Sequence, residues 1–225
     1  MPQPKASTLV APDQAVELTD AARSWASRAG DKLDGALSDF DIDVTGARAL
    51  DVGASTGGFT DVLLTRGAAS VTALDVGYGQ MVWRLRSDDR VEVIDRTNFR
   101  TTDIGALDAP FNVVTIDVSF ISVRLLAAQL AAAGVAGTHY VVLVKPQFEA
   151  GRDQVGRGGV VSDPAIHLGV VEGVADALTA VGIGILAAAP SVLPGAEGNR
   201  EFFLHGAHGA PDTMSAASLQ ELVTR

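Results

Sequence analysis

The stretch Ala49-Leu50-Asp51-Val52-Gly53-Ala54-Ser55-Thr56-Gly57-Gly58-Phe59-Thr60 decides how the rest of the chain is organised. Residues 49–52 are typical of the end of a short buried strand, residues 53–57 of a tight turn, and Gly58 of the start of a helix. Glycine suits such a turn because it allows a positive φ and a close approach to the backbone. In an open α/β sheet a ligand binds beyond the carboxyl end of such a strand, where backbone N–H groups point outward. The stretch therefore predicts a ligand site at this turn.

The composition indicates a globular chain and narrows the kinds of site it can hold. The 225 residues, 47% of them hydrophobic, are enough for one large domain or two small ones. The lack of cysteine excludes disulfides and thiolate metal sites, and the four histidines have no metal-ligand spacing. No apolar run reaches the length of a membrane span, and the N-terminus has no secretory signal pattern. We therefore expect a soluble, cytoplasmic protein without a bound metal.

The charge balance argues against a general attraction to nucleic acid. Lys and Arg number 17 and Asp and Glu 27, which gives a net charge of −10. An RNA substrate would therefore need a local basic patch or another binding module. Three local clusters of basic residues exist: Arg23, Arg28 and Lys32; Arg84, Arg86 and Arg90; Arg152 and Arg157. We interpret the middle cluster as a solvated face.

From residue 48 the hydrophobic pattern alternates between strands and helices. Strands are predicted at 48–52, 71–75, 91–95, 112–117, 139–145, 183–189 and 200–205. Helices are predicted at 31–40, 58–66, 79–86, 122–134, 164–181 and 215–224. This alternation predicts an α/β fold with a mostly parallel seven-stranded sheet and helices on both faces.

The chain shows no internal repeat and no linker within the alternating region. Residues 1–20 are interpreted as an irregular segment, because they carry three prolines and little periodicity, although Val16-Glu17-Leu18 is compatible with a short strand. Residues 21–210 are predicted to form one domain, followed by a C-terminal helix within 211–225. The glycine-rich stretch 146–161 is interpreted as a mobile loop that covers a substrate.

Charged residues follow three strands of the predicted sheet. Asp75 closes the second strand, Asp117 comes directly after Ile116, and Lys145 directly after Val144. Because the carboxyl ends of parallel strands share one edge, these side chains should lie beside the turn at Gly53. A charged residue at the end of one strand is explained by its exposure to solvent. Charged residues at the ends of two neighbouring strands, above the turn, instead indicate a functional site.

The turn and Asp75 together indicate the kind of ligand. The glycines are spaced G-x-x-x-G-G rather than G-x-G-x-x-G, which disfavours a dinucleotide cofactor. The pattern is similar to the first loop of S-adenosylmethionine (SAM) methyltransferases. A carboxylate at Asp75 can accept hydrogen bonds from both hydroxyls of a cofactor ribose. The turn alone fits a generic βαβ unit equally well, but with Asp75 a nucleotide-like cofactor is favoured.

The motifs together resemble the TlyA group of FtsJ-like ribosomal RNA methyltransferases, which also carry the label haemolysin A. The stretches that carry the resemblance are Asp51–Thr60, Asp75–Gln80, Arg96–Asn98, Asp117–Ser122, Leu143–Glu149, Gly158–Val161 and Gly198–Phe202. The resemblance covers residues 16–205. It implies a Rossmann-like, class I SAM-dependent methyltransferase fold. It also implies methyl transfer to the ribose 2′-hydroxyl of a cytidine in small-subunit, and often large-subunit, ribosomal RNA.

The resemblance also assigns site residues. The catalytic residues of the family correspond, by motif, to Lys32, Asp117, Lys145 and Glu201. Lys145 is our candidate base, because a lysine that is partly desolvated beside another cation can lose its proton near neutral pH. Asp117 and Glu201 would position the lysines, and Lys32 would assist electrostatically. From the pattern alone, Lys32 is expected at the surface, off the apolar stripe of its helix, and Glu201 is expected as an exposed strand residue.

Cofactor and RNA contacts follow from the same resemblance. The implied cofactor-binding residues are Asp51, Gly53, Ala54, Ser55, Gly57, Gly58, Phe59, Asp75, Val76, Asp95 and Asp117. The implied RNA-binding residues are Arg28, Arg152 and Arg157, with ribosomal RNA or ribosomal subunits as partners. Family members usually have glycine at the position of Ala29. They also begin with a small RNA-binding domain, and the segment Lys5-Ala-Ser-Thr-Leu-Val10 resembles the tail of that domain. We expect that domain to be missing, so that the chain methylates ribosomal RNA weakly by itself.

Two other function classes stay open. The haemolysin label suggests a membrane-lytic protein, against which the acidic composition and the lack of a basic amphipathic helix argue. A nicotinamide dehydrogenase is the other class, and the glycine spacing argues against it.

Overall fold

A seven-stranded sheet forms the centre of the computed structural model, which describes residues 25–224. The strands are β1 (Arg48–Val52), β2 (Ser70–Leu74), β3 (Val91–Ile94), β4 (Val113–Ile116), β5 (His139–Val144), β6 (Ile183–Pro190) and β7 (Phe202–His208). Their order is β3-β2-β1-β4-β5-β7-β6. Strands β1 to β5 are parallel, and β7 lies antiparallel between β5 and β6. The predicted mostly parallel, seven-stranded sheet is confirmed.

Seven helices accompany the sheet in the described part of the chain. They are α1 (Ala29–Asp39), α2 (Gly58–Thr65), α3 (Trp83–Arg86), α4 (Ala127–Ala133), α5 (Pro146–Glu149), α6 (Pro164–Thr179) and α7 (Ala216–Thr224). Helix α6 begins as its sequence indicates, because the Asp163 carboxylate accepts the N–H of Ala165 at 2.8 Å and proline occupies the first turn.

Four predicted elements differ from the structure. The stretch 146–161, interpreted as a loop, begins with the short helix α5, because Pro146 suits the first turn of a helix. The helix predicted at 79–86 is limited to α3, because Gly79 has a φ of +66° and the chain turns before Val82. The segment predicted as one helix at 122–134 is a 3₁₀ turn (Val123–Leu126) followed by α4. The strand predicted from residue 200 begins at Phe202, so Glu201 precedes the strand instead of lying on it.

Apolar residues alternate between the two faces of the sheet, as the pleat of a strand requires. One core contains Leu50, Val114 and Val142 together with apolar residues of α4, α6 and α7. The other contains Ala49 and Val141 together with apolar residues of α1 and α2. Helices therefore cover both faces, and the C-terminal helix α7 is part of the same core.

The order of the strands reverses at β1, which has β2 on one side and β4 on the other. In open α/β sheets such a point forms a crevice at the carboxyl edge. Here Gly53 has a φ of +88° and Gly57 a φ of +99°, as the turn predicts. A Cβ atom on Gly53 would lie 2.3 Å from the backbone oxygen of Asp117, so the turn touches the exit of β4 directly.

The predictions for residues 1–20, including the strand at Val16-Glu17-Leu18, and for Arg23 lie outside the described residues. Between residues 25 and 224, no helix is both long and apolar enough to cross a membrane. The same residues hold no group of three or more His, Cys, Asp or Glu side chains arranged to bind a metal ion.

Candidate active site

Two adjoining cavities open at the carboxyl edge of the sheet. The larger has a volume of about 440 Å³ and extends along the ends of β1 to β4. The smaller, of about 240 Å³, lies between the turn after β1, the start of α1 and Lys145. Four residues line both cavities: Gly53, Ser55, Asp117 and Ser119. The structure therefore brings the turn and the strand exits together at the predicted edge.

Asp75 lies in the wall of the larger cavity, where backbone N–H groups fix its carboxylate. Its Oδ2 accepts the N–H of Ser55 at 2.8 Å, and its Oδ1 accepts the N–H of Gly77 at 2.6 Å. The adjacent Val76 is 71% exposed and lines the same cavity. Each carboxylate oxygen can accept a further hydrogen bond, so Asp75 is able to bind a pair of hydroxyls.

Asp51 lies beneath the turn, away from both cavities. Its side chain is fully buried and accepts hydrogen bonds from Thr60 Oγ1 at 2.7 Å and Thr115 Oγ1 at 3.1 Å. Burial raises the pKa of Asp51 to about 7, although the threonine hydrogen bonds oppose that rise. Asp51 thus joins β1 to α2 and β4 and supports the turn from below.

Gly57 also supports the turn, whereas Ala54, Gly58 and Phe59 line the smaller cavity. A Cβ atom on Gly57 would lie 2.4 Å from Leu85, so this glycine is the contact between the turn and α3.

Asp95 is directed away from the larger cavity. Its Oδ2 accepts hydrogen bonds from Arg86 Nη1 at 2.9 Å and from the N–H of Gly79 at 3.2 Å. Burial opposes ionisation, but these hydrogen bonds outweigh it and lower the pKa of Asp95. The next residue, Arg96, has a φ of +56° and turns the chain.

The residues that reach the cavity after β3 are Thr97, Asn98 and Phe99, which the predicted site omitted. Their signal was present in the sequence, because Arg96-Thr97-Asn98 is one of the stretches that carry the family resemblance.

Lys145 and Asp117 form an ion pair where the two cavities meet. Lys145 Nζ lies 2.5 Å from Asp117 Oδ1 and donates a hydrogen bond to Ser119 Oγ at 3.1 Å. The side chains are 12% and 17% exposed, respectively. The pair is therefore partly desolvated but accessible from the smaller cavity, which Lys145 lines.

Lys32 and Glu201 form a second, more deeply buried ion pair. Lys32 Nζ lies 2.5 Å from Glu201 Oε2, and the side chains are 7% and 2% exposed. Gln147 Nε2 donates to Glu201 Oε1 at 3.2 Å, which links this pair to the turn that carries Lys145. The expected surface positions of Lys32 and Glu201 are wrong, because each buried charge is compensated by the other.

The basic residues named in the sequence divide into two groups. Arg28 Nη2 donates to the backbone oxygens of Pro194 and Gly195, and so fixes the loop before Glu201. Arg152 and Arg157 lie exposed on the loop after α5.

The arginines of the middle cluster are partly exposed, and all three are engaged in ion pairs. Its three arginines pair with neighbouring carboxylates in the pairs Arg84–Asp61, Arg86–Asp95 and Arg90–Asp88.

Comparison with known protein families shows which family the chain belongs to. The model of the FtsJ-like methyltransferase family matches residues 25–208. This chain belongs to the FtsJ-like methyltransferase family. Membership confirms the family predicted from the motifs.

Relatives place the FtsJ-like chain within the TlyA group. It is 45% identical over 226 residues to the 16S/23S rRNA (cytidine-2′-O)-methyltransferase TlyA of Mycobacterium tuberculosis H37Rv, a match that covers 100% of this chain and 84% of that protein. A solved chain from Streptococcus thermophilus that carries a hemolysin name is 41% identical, with a TM-score of 0.86, and the match covers 92% of this chain and 75% of that chain. The predicted resemblance is confirmed.

The FtsJ-like fold is shared with distant methyltransferases. An S-adenosylmethionine dependent methyltransferase from Mesorhizobium loti matches with a TM-score of 0.57 at 16% identity, over 77% of this chain and 96% of that chain. At this identity the match supports the fold alone, which is the Rossmann-like methyltransferase fold predicted from the sequence.

Proposed function

We propose that this protein transfers a methyl group from SAM to the ribose 2′-hydroxyl of a cytidine in ribosomal RNA. The observation that supports this best is the junction of the two cavities at Asp117 and Lys145. A cofactor in one cavity and a nucleotide in the other would meet beside a lysine and a carboxylate. The name of the M. tuberculosis relative supports the substrate and the reaction.

The larger cavity fits a nucleoside cofactor in size and in chemistry. Its volume lies within the range of about 300–1,000 Å³ that is usual for small-molecule sites. Asp75 would bind the ribose hydroxyls, Val76 would contact the adenine ring, and Thr97 and Asn98 would offer polar groups at its edge. When bound, SAM supplies an electrophilic methyl group. Asp51 and Asp95 would act by holding the turn and the loop after β3 in place.

The smaller cavity would hold the acceptor nucleotide. A ribose hydroxyl is a weak acid, so attack by its oxygen requires a base at hydrogen-bond distance. In its neutral amine form, Lys145 would accept that proton and become an ammonium ion, and Asp117 and Ser119 would hold the amine in place. Lys32 and Glu201 lie behind this pair and would fix the turn that carries Lys145 through Gln147.

Arg152 and Arg157 would bind RNA phosphates from the loop beside the site. Both are exposed on the segment that follows Lys145, at 7 and 12 residues after it. Because the net charge is −10, phosphate contacts by so few cations would give weak, strongly salt-dependent binding. We propose ribosomal subunits as the partners and the cytoplasm as the compartment.

The test is transfer of labelled methyl from SAM to purified ribosomal subunits that lack the modification. We expect incorporation into the small subunit, the large subunit or both with the wild-type chain, and incorporation slower by about 100-fold or more with Lys145→Met. Incorporation into neither subunit would overturn the proposal. A liposome-leakage assay run beside it tests the membrane-lytic alternative, which leakage without methyl transfer would support.

A further inference from the structure

Two chain segments that follow the central strands lie side by side at the proposed site. The loop 117–124 follows β4, and the turn 145–149 follows β5. Contacts link them in order along their length. Lys145 bonds Asp117 and Ser119, and the Phe120 and Phe148 rings lie 4.9 Å apart.

Glu149 makes the last of these contacts, and it is the most buried of them. Its Oε2 accepts a hydrogen bond from Ser122 Oγ at 2.5 Å, and its Oε1 accepts the N–H of Val123 at 2.6 Å. Arg124 Nε lies 3.3 Å from Oε2, and Arg124 Nη2 donates to the Glu149 backbone oxygen at 2.7 Å. The carboxylate side chain is only 2% exposed. A carboxylate at this depth is stable only because both oxygens are satisfied.

The loop held by Glu149 forms a wall of both cavities. Asp117 and Ser119 line the larger and the smaller cavity, and Val118 and Phe120 line the larger. The loop is also locally strained, since Phe120 has a φ of +65° and is 91% exposed. Such a conformation persists only where the surroundings hold it. Strand β4 holds one end of the loop, and Glu149 holds the other.

We infer that Glu149 is a positioning residue for methyl transfer, which fixes the loop after β4 so that Asp117 and Ser119 stay bonded to Lys145. This inference rests on the proposed function. Glu149 touches neither cavity and acts through Ser122 and Val123. Without its charge, the loop would loosen and the Asp117–Lys145 pair would lengthen.

The test compares Glu149→Gln with Asp212→Asn. Asp212 is a control with the same kinds of partner but at an exposed position, because its carboxylate accepts one backbone N–H, from Ile185, and one hydroxyl, from Thr179, and lines neither cavity. We expect Glu149→Gln to lower kcat by about ten-fold or more, the scale of one lost charge-assisted hydrogen bond, and to raise the KM for SAM. Glu149→Asp should restore part of the rate, and Asp212→Asn should lower only the melting temperature.

The kinetic constants separate a positioning role from a merely structural one. A loosened loop lowers kcat and raises the KM for SAM in the folded protein, whereas a loss of stability alone lowers only the melting temperature, as in Asp212→Asn. Wild-type kcat and wild-type KM in Glu149→Gln would overturn the inference. Should Glu149→Gln fail to fold, Ser122→Ala carries the same test with a smaller change expected.

A measurement without RNA keeps this inference separate from the proposed function. Amide hydrogen exchange at Val123 and Leu125, whose N–H groups bond Glu149 Oε1 and the Ser122 backbone oxygen, should be about ten-fold faster in Glu149→Gln than in wild type, and unchanged in Asp212→Asn. If the wild type transfers no methyl to ribosomal RNA, the proposed function fails. Faster exchange would then still support the role of Glu149 as the clamp of this loop, and unchanged exchange would refute that role.

Discussion

At the scale of single residues, the chain has two lysine–carboxylate pairs at the site that differ in depth. Lys145 and Asp117 are accessible from the smaller cavity, whereas Lys32 and Glu201 are almost completely buried. The exposure of each ion pair determines whether it can take part in proton transfer. An accessible amine can exchange a proton with a substrate, and a buried ion pair mainly fixes its surroundings.

Replacing Lys145 by methionine should therefore mainly reduce activity, whereas replacing Lys32 by methionine should mainly reduce stability. Lys145→Met should reduce methyl transfer by about 100-fold or more, the usual scale of a lost general base, and leave the melting temperature close to wild type. Lys32→Met leaves Glu201 buried without its partner and should lower the free energy of unfolding by about 3–5 kcal/mol. Activity assays and thermal denaturation measure both. If Lys145→Met kept wild-type turnover, Lys145 would not be the base.

Asp75 carries the second residue-scale prediction. Asp75→Asn should weaken SAM binding by about 1.5–3 kcal/mol, because a charge-assisted pair of hydrogen bonds to the ribose is lost. Asp212→Asn is the control, since Asp212 bonds Ile185 and Thr179 and lines neither cavity. Isothermal titration with SAM measures both affinities. Equal affinity in Asp75→Asn and wild type would contradict the placement of the ribose.

At the scale of elements, the turn after β1 sets the distance between β1 and β4. Gly53 has both a positive φ and the Asp117 backbone oxygen in the place where a Cβ would lie. Gly79 also has a positive φ, but nothing lies within 4 Å of the place of its Cβ. The two glycines therefore separate backbone strain from steric contact.

Gly53→Ala should weaken SAM binding and lower the free energy of unfolding together, because the added methyl group must displace the Asp117 backbone at the end of β4. Gly79→Ala should cost only the strain of a left-handed alanine, about 1–2 kcal/mol, and should keep SAM affinity. Calorimetric titration and denaturation of the two variants test this. Wild-type SAM affinity in Gly53→Ala would show that the close approach to Asp117 is unimportant for the site.

The elements also show what the sequence could and could not predict. Asp117 and Lys145 were placed correctly because each ends an apolar run, which is a local signal. Lys32 and Glu201 were misplaced because their contact joins residues 169 positions apart. Asp95 was named as a cofactor-binding residue, and in the structure the left-handed turn at Arg96 brings Thr97 and Asn98 to the wall of the cavity, while Asp95 pairs with Arg86. Such a turn at a non-glycine residue has no strong local signal.

At the scale of the whole molecule, a histidine pair links the sheet to α1 at the edge away from the site. His205 Nε2 lies 2.9 Å from His139 Nδ1, and the His205 ring stacks on Phe40. Burial and the neighbouring His139 lower the pKa of His205 to about 4. In the unfolded chain the pKa returns to about 6.5, so between these values the unfolded state binds more protons. Stability should therefore fall as the pH drops from about 6.5 to about 4.

His205→Gln should reduce this slope. Asp51 acts in the opposite direction, because its raised pKa makes stability fall as the pH rises from about 4 to about 7. The difference between wild type and His205→Gln isolates the histidine, since Asp51 is present in both. Denaturant titrations at pH 7.5, about 6 and about 4.5 measure it. Identical slopes for the two chains would show that His205 takes up a proton in the folded state as easily as in the unfolded state.

The central claim is that Lys145 and Asp117 direct a methyl group to a ribose oxygen. The most direct measurement is the identity of the modified nucleoside after ribosomal subunits react with SAM and are digested to nucleosides for mass spectrometry. The account predicts that the wild-type chain forms 2′-O-methylcytidine and that Lys145→Met forms it about 100-fold more slowly or not at all. A methyl group on a base, or 2′-O-methylcytidine formed by Lys145→Met at the wild-type rate, would contradict it.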